Sequence, residues 1–230
     1  MTAEIAVIVG AGSGLSARLA RAAAKSGMKV ALAARQVAKL KDLAQETGAK
    51  AYACDAAAAN QVEALFTAVE TDLGTPDLVV YNAGYRTRGP FTELNPEEVE
   101  KTLMVSAYGG FLTAQAAARR MLKRGTGSIF FTGASASVKG YAQSAPFAMA
   151  KFALRGLAQS VARELQPKGI HVAHFVIDGG IFSERYPSEE KTADKWLDPD
   201  AIAQTYLDTH RQHRSAWSTE VELRPWVENF

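Results

Sequence analysis

One cysteine, Cys54, is all that 230 residues contain. No disulfide can close within the chain, and the expectation is a reducing, cytoplasmic setting. Long apolar runs are missing too. The N-terminal stretch IAVIV ends at a glycine turn, and nothing approaches the roughly 20 residues a membrane helix needs. Charge of one sign is absent: 26 Lys and Arg against 24 Asp and Glu leave +2, too balanced for an electrostatic footprint on nucleic acid or a membrane. Clustered metal ligands are lacking as well. His171 and His174 stand three apart on one expected strand and so on opposite faces, while His210 and His213 share an expected helix face without a Cys or carboxylate cluster, so no metal is expected. Repeats, linkers and low-complexity segments are not seen.

What is present fits a globular α/β chain. Hydrophobic residues make up 47% and charged residues 22%, ordinary values, and the length suits one domain over residues 1–230 with a single sizeable core. Short apolar runs alternate with helical patterns. Strands are expected at Glu4–Val9, Met28–Ala34, Ala49–Asp55, Asp77–Gly84, Gly127–Gly133 and Ile170–Asp178, with helices between them. One long helix is expected after Asn95, which can cap it, with Pro96 in its first turn and Glu98 at the capping-box position; a second runs from Ala145 to about Leu165. Continuous apolar strands alternating with helices predict a doubly wound parallel sheet, Rossmann-type, in three αβα layers. Beyond Gly179 the alternation fails. A flexible substrate loop is expected at about 179–198, then a helix from about Asp198 to His210 and a last strand in TEVELRPW.

The first strand runs into VGAGSGLS. Glycines at 10, 12 and 14 permit a tight turn, and the helix that follows offers free amides and a positive dipole end to a pyrophosphate. The spacing matches the first two glycines of G-x-x-x-G-x-G, with Ser16 where the last would be. At the end of the second strand an acidic residue would hold a ribose 2′-hydroxyl and repel a 2′-phosphate. Here Ala34 is followed by Arg35 and no carboxylate, which favours NADP(H) over NAD(H). Asp55 is read as facing the adenine edge, with helix capping as its alternative.

With those pieces in place the sequence resembles the short-chain dehydrogenase/reductase family over nearly its whole length. The resemblance rests on GAGSGLS, CDA, NAG at Asn82–Gly84, VSAYGGF at Val105–Phe111, GSIFFTGAS, the F-x-x-x-K pair Phe147 and Lys151, and HFVIDGGI. It implies a cofactor set of Gly10, Ser13, Gly14, Leu15, Arg35, Asp55, Asn82, Ala83, Gly84, Lys151, Gly179 and Ile181. It also implies a homodimer or homotetramer, since the small-residue stripe FALRGLAQSVAREL permits close packing against a second copy. In the family a Tyr is the general acid, a Lys binds the nicotinamide ribose, a Ser orients the carbonyl and an Asn completes a relay. Of these only Lys151 is kept. Phe147 stands at the Tyr position, Ala134 in the Ser register with Ser135 one place on, and Ser106 at the Asn position. Asp178-Gly179 replaces the usual Pro-Gly.

Hydride chemistry belongs to the cofactor; the missing part is a proton for the developing alkoxide. Ser135 or Ser137 could orient a carbonyl while water donates, Tyr108 or Tyr141 could donate from another direction, or the substrate could be an activated alkene. The catalytic set is therefore read as Lys151, Ser135 and Tyr141. The expected activity is oxidoreduction of a small, apolar carbonyl, alcohol or activated alkene, with Phe147, Phe182 and Trp196 as apolar lining. The alternatives are a non-catalytic NADP(H)-binding sensor or regulatory scaffold, and a structural subunit without nucleotide, which the retained glycines, Arg35 and Lys151 disfavour.

Overall fold

Strands that are apolar at every position leave no face for water, so their sheet has to be covered on both sides. The computed structural model describes residues 3–183 and 194–227, and the sheet it shows is of that kind. In chain order the strands are β1 (Ile5–Val9), β2 (Lys29–Ala34), β3 (Lys50–Ala53), β4 (Leu78–Tyr81), β5 (Gly127–Thr132), β6 (Ile170–Ile177), the short β7 (Gly180–Ile181) and β8 (Trp196–Leu197), and β9 (Glu220–Leu223). The seven-stranded sheet has the order β3-β2-β1-β4-β5-β6-β9, parallel throughout. β1, β4 and β6 are buried along their whole length, whereas the edge strands β3 and β9 are partly exposed.

The helices are α1 (Leu15–Lys25), α2 (Lys41–Thr47), α3 (Ala59–Asp72), α4 (Pro96–Leu103), α5 (Gly109–Met121), α6 (Ala145–Leu165) and α7 (Pro199–His210). Alternate residues of β1 feed two separate cores. Ile5, Val7 and Val9 pack with Phe66, Met121 and Leu154 from α3, α5 and α6, while Ala6 and Ile8 pack with Leu19, Leu43 and Tyr206 from α1, α2 and α7. The period of two along the strand thus becomes the three-layer architecture. Because the strand order reverses between β1 and β4, a crevice opens at their carboxyl ends. No helix among the described residues is long and apolar enough to cross a membrane.

Three local expectations are corrected. The helix after Asn95 is not continuous: a five-residue π turn, Met104–Tyr108, separates α4 from α5. Its cause is tertiary. Gly109 and Gly110 lie so close to Tyr81 and Leu154 that a Cβ would come within 2.4 Å and 2.5 Å of their side chains, and the Tyr81 hydroxyl donates to the Val105 carbonyl that the turn frees. Asn95 does cap α4, its Oδ1 accepting from Glu97 N at 2.9 Å, but Glu98 turns away from the cap to accept from the Tyr85 hydroxyl. His213 lies beyond the end of α7 and caps the next turn, Nδ1 accepting from Ser215 N at 3.3 Å, so it shares no helix face with His210. In the expected substrate loop, residues 184–193 lie outside the described residues.

Candidate functional site

The glycine loop hangs from β2. Gly10 N and Ala11 N both donate to the Ala33 carbonyl, at 3.0 and 2.9 Å, and Gly10 turns through φ +89°. A Cβ there would meet Ala83 N at 2.3 Å, so only glycine lets the first loop touch the Asn82-Ala83-Gly84 segment. Ser16, buried at the start of α1, ties the two together: its Oγ donates to the Gly10 carbonyl at 2.9 Å and accepts from Asn82 Nδ2 at 2.7 Å. A glycine in its place would lack this bridge. α1 begins with Gly14 at its N-cap, no side-chain cap and no acidic residue in its first turn. Space beside Gly12 and Gly14 is open, with nothing within 4 Å of a Cβ. An uncapped helix start next to open glycines is what a pyrophosphate requires.

Gly10, Ser13, Arg35, Asp55, Asn82, Ala83 and Gly84 line one cavity of about 520 Å³ at the carboxyl ends of β1 to β4, joined by Gln36, Lys39 and Cys54. Arg35 and Lys39 are exposed and have no carboxylate partner among the described residues. Lys39 was not singled out in the sequence; its place one turn after Arg35 is the signal that could have marked it. Asp55 lines the cavity, and its Oδ1 accepts from Ala57 N at 3.0 Å in the turn leading to α3. Asp55 does not cap α3, whose N-cap is Ala58 without a side-chain cap. Gly14, Leu15 and Ile181 line a second cavity of about 610 Å³, shared with Ser13 of the first and with Phe182. Gly179 lines neither; it packs on Pro225 and Leu197.

The F-x-x-x-K pair stands on α6 and lines neither cavity. Lys151 is buried, its Nζ donating to the Thr132 carbonyl at 2.7 Å, and burial pushes the ammonium down to about 8. Phe147 is half-buried, its ring centre 5.6 Å from Lys151 Nζ and 4.7 Å from the Arg86 guanidinium. The turn Ser135–Ser137 follows β5. Ser137 is consumed inside that turn, Oγ accepting from Ala134 N at 3.1 Å, while Ser135 remains half-exposed. Tyr141 is 46% exposed with Lys139 Nζ 5.9 Å from its ring centre. Tyr108 stacks on Phe111 at 5.9 Å. Trp196 covers Gly180. Behind Lys151, His174 has neither ring nitrogen in a hydrogen bond, though Glu220 Oε2 lies 3.5 Å from its Nδ1, and burial, opposed by that carboxylate, holds it down at about 4. It is therefore neutral at pH 7.

A parallel sheet with a glycine loop at its switch point defines a dinucleotide-type α/β protein. The short chain dehydrogenase family model matches residues 4–186. D-threitol dehydrogenase of Mycolicibacterium smegmatis is 30% identical over 174 residues, 74% of this chain and 67% of that protein. Among solved structures, a short-chain dehydrogenase from Rhodopseudomonas palustris is 34% identical with a TM-score of 0.85, covering 97% of this chain and 99% of that one. A metagenomic short-chain oxidoreductase in complex with NADP is 27% identical, TM-score 0.85, over 99% of both chains. The chain belongs to the short-chain dehydrogenase/reductase family of oxidoreductases.

Proposed function

We propose that this chain is an NADP(H)-dependent oxidoreductase acting on a small carbonyl or alcohol, or an activated alkene, with an apolar body, and that its proton comes from a group other than the family tyrosine. The observation that carries the reading is the first cavity. Arg35 and Lys39 stand at the end of β2 without an opposing carboxylate, in the same cavity as the glycine loop and Asp55. Two cations there favour a 2′-phosphate, and the metagenomic relative is in complex with NADP. In this reading Gly10, Ser13, Gly14 and Leu15 present loop and helix amides to the pyrophosphate, Asp55 meets the adenine, and Asn82, Ala83 and Gly84 form the floor. Lys151 reaches the ribose, and Gly179 and Ile181 close the nicotinamide end. When bound, the nicotinamide supplies or accepts the hydride.

Protein groups have only to orient the substrate and handle a proton. Ser135 has a hydroxyl not committed to its turn, and Tyr141 lies beside Lys139; these two are the groups assigned to substrate, with water as the other source of the proton. General acid catalysis contributes about 10²–10⁴-fold, so a chain without the tyrosine turns over slowly rather than not at all. The exposed apolar residues Phe111, Met149 and Phe152 on α5 and α6 support association into a homodimer or homotetramer.

A second reading, a non-catalytic NADP(H)-binding sensor or scaffold, draws on Ala134 and Phe147, neither of which offers a hydroxyl. One experiment separates them. NADPH and NADH are titrated by fluorescence, and the NADPH-loaded protein is then assayed on a panel of aldehydes, ketones and enones beside Phe147→Tyr. Micromolar NADPH binding, much weaker NADH binding and turnover that rises in the variant are the expected results. Tight NADPH binding without turnover in either protein leaves the sensor reading. Binding of neither nucleotide overturns both.

A further inference from the structure

Two departures from the family pattern meet at one residue that the pattern does not mention. Ser106, in the place of the family Asn, is fully buried. Its Oγ accepts from Tyr85 N at 2.9 Å and donates to the Tyr85 carbonyl at 3.0 Å. The ring of the same Tyr85 is fixed by its hydroxyl on Glu98 and by Lys101 Nζ, 4.2 Å from the ring centre. Backbone and side chain of Tyr85 are thus both clamped, and the clamp sets where the next residue goes. Arg86 lays its guanidinium on the ring of Phe147, which occupies the place of the family Tyr, at 4.7 Å. Its other hydrogen-bond contact is long, Nη2 to Ser144 Oγ at 3.4 Å.

No carboxylate pairs with Arg86 among the described residues. Arg86 is exposed; partial burial first and then the charge of Arg88 lower its affinity for the proton it nonetheless keeps, with Tyr141 acting in the opposite sense. Asp178, at the end of β6, is already engaged by Arg224 at 2.9 Å and Lys139 at 3.6 Å. A guanidinium is therefore held on a fixed platform, one helical turn from Lys151, with its planar donor fork largely unspent. Such a fork, open to solvent, matches a carboxylate in two parallel hydrogen bonds, which a neutral substrate cannot offer.

We propose that Arg86, seated on Phe147 and positioned through Ser106 and Tyr85, is the substrate-anchoring residue, and that the carbonyl substrate carries a carboxylate. This rests on the oxidoreductase reading and narrows it from a small molecule with an apolar body to an anionic one. Arg86 does not donate the proton, since a guanidinium stays charged at any working pH. Its function is to hold the anion so that the carbonyl lies beside Lys151.

Matched probes test it. Phenylpyruvate is compared with phenylacetone, and 4-formylbenzoate with 4-methylbenzaldehyde, each as kcat/KM under NADPH for the natural protein, Arg86→Gln and Arg86→Lys. The expected result is a preference for the carboxylate member of at least one pair of about tenfold or more. Arg86→Gln abolishes the preference chiefly through KM, and Arg86→Lys keeps part of it. Saturation-transfer NMR of 4-formylbenzoate on the same three proteins, with and without NADPH, reads the contact independently of turnover. Turnover with the same probe ratio in the natural protein and Arg86→Gln overturns the anchor and leaves the oxidoreductase reading standing. Arg86-dependent binding without turnover does the reverse. An NMR signal equal in all three proteins, without turnover, overturns the anchor and reduces the stack to a cation–π contact.

Discussion

At the glycine loop, the Gly10 carbonyl, buried Ser16 Oγ and Asn82 Nδ2 form one part-buried chain of hydrogen bonds at 2.9 and 2.7 Å, and Gly10 fits against Ala83 with no room for a methyl. Around Phe147 the opposite holds. Arg86 has a ring beneath it and one long contact, His174 has no hydrogen bond to either nitrogen, and Lys151 keeps its charge against burial. The first region is pre-organised for a ligand whose shape does not vary. The second holds polar groups that the fold satisfies less fully. Family membership is written in the first region and individuality in the second.

The sharpest way to break the contrast is Gly10→Ala. A left-handed backbone at φ +89° and a Cβ 2.3 Å from backbone at Ala83 together cost about 3 kcal/mol or more. That lowers the melting temperature by about 6–12 °C for a chain of this size and removes NADPH binding. Gly12→Ala is the control. Nothing lies within 4 Å of its Cβ, so the melt stays where it was while, on the proposed reading of that space as the pyrophosphate's, NADPH affinity falls. Equal melting of both variants with the natural protein would mean that Gly10 is not the contact between the two loops.

Lys151→Met probes the second region, with a smaller effect and a defined pH window. The folded value of about 8 lies below the ordinary 10.5. Between those values the unfolded chain binds more protons, so the natural protein gains stability as pH rises from about 8 to 10.5 and gains nothing from this group below 8. The whole rise is about 3 kcal/mol. Lys151→Met has nothing to titrate, so its urea midpoint lacks that rise and exceeds the natural protein's near pH 7, less whatever the lost bond to the Thr132 carbonyl contributes. Parallel midpoint curves for the two proteins between about pH 7 and pH 10 would show that the ammonium is not held at a cost.

Legibility in the sequence divides along the same line. β1, β4, β5 and β6 were readable because a strand covered on both faces is mostly apolar; their ends moved by at most three residues. The Asn95 cap was readable because capping is local. The π turn was not, since it answers to Tyr81 and Leu154, remote in the chain, and glycines 109 and 110 look like any helix breaker. Phe147, Ala134 and Ser106 were visible as departures from a pattern, yet what replaces the lost groups was not. Ser106 acts on Tyr85 and Phe147 on Arg86, pairs made only by folding, and a loop arginine between β4 and α4 carries no signal of its own.

Ser16→Ala gives the smallest effect. In the family motif this position is glycine, so the sequence alone treats the hydroxyl as tolerated. The structure gives it two partners in a buried setting, the Gly10 carbonyl and Asn82 Nδ2. Removing it leaves both without their bond, at a cost of about 1–2 kcal/mol, and loosens the floor of the first cavity. Urea midpoints of Ser16→Ala fall accordingly, and NADPH affinity drops by less than about tenfold, because no contact with the nucleotide itself is assigned to Ser16. Ser16→Gly falls further, since it adds glycine's backbone entropy at the start of α1, about 0.5–1 kcal/mol. Should Ser16→Gly match or exceed the natural protein in stability, the hydroxyl contributes nothing that the family glycine lacks. The glycine loop would then be no better satisfied than the region around Phe147, and the contrast between them would rest on Gly10 alone.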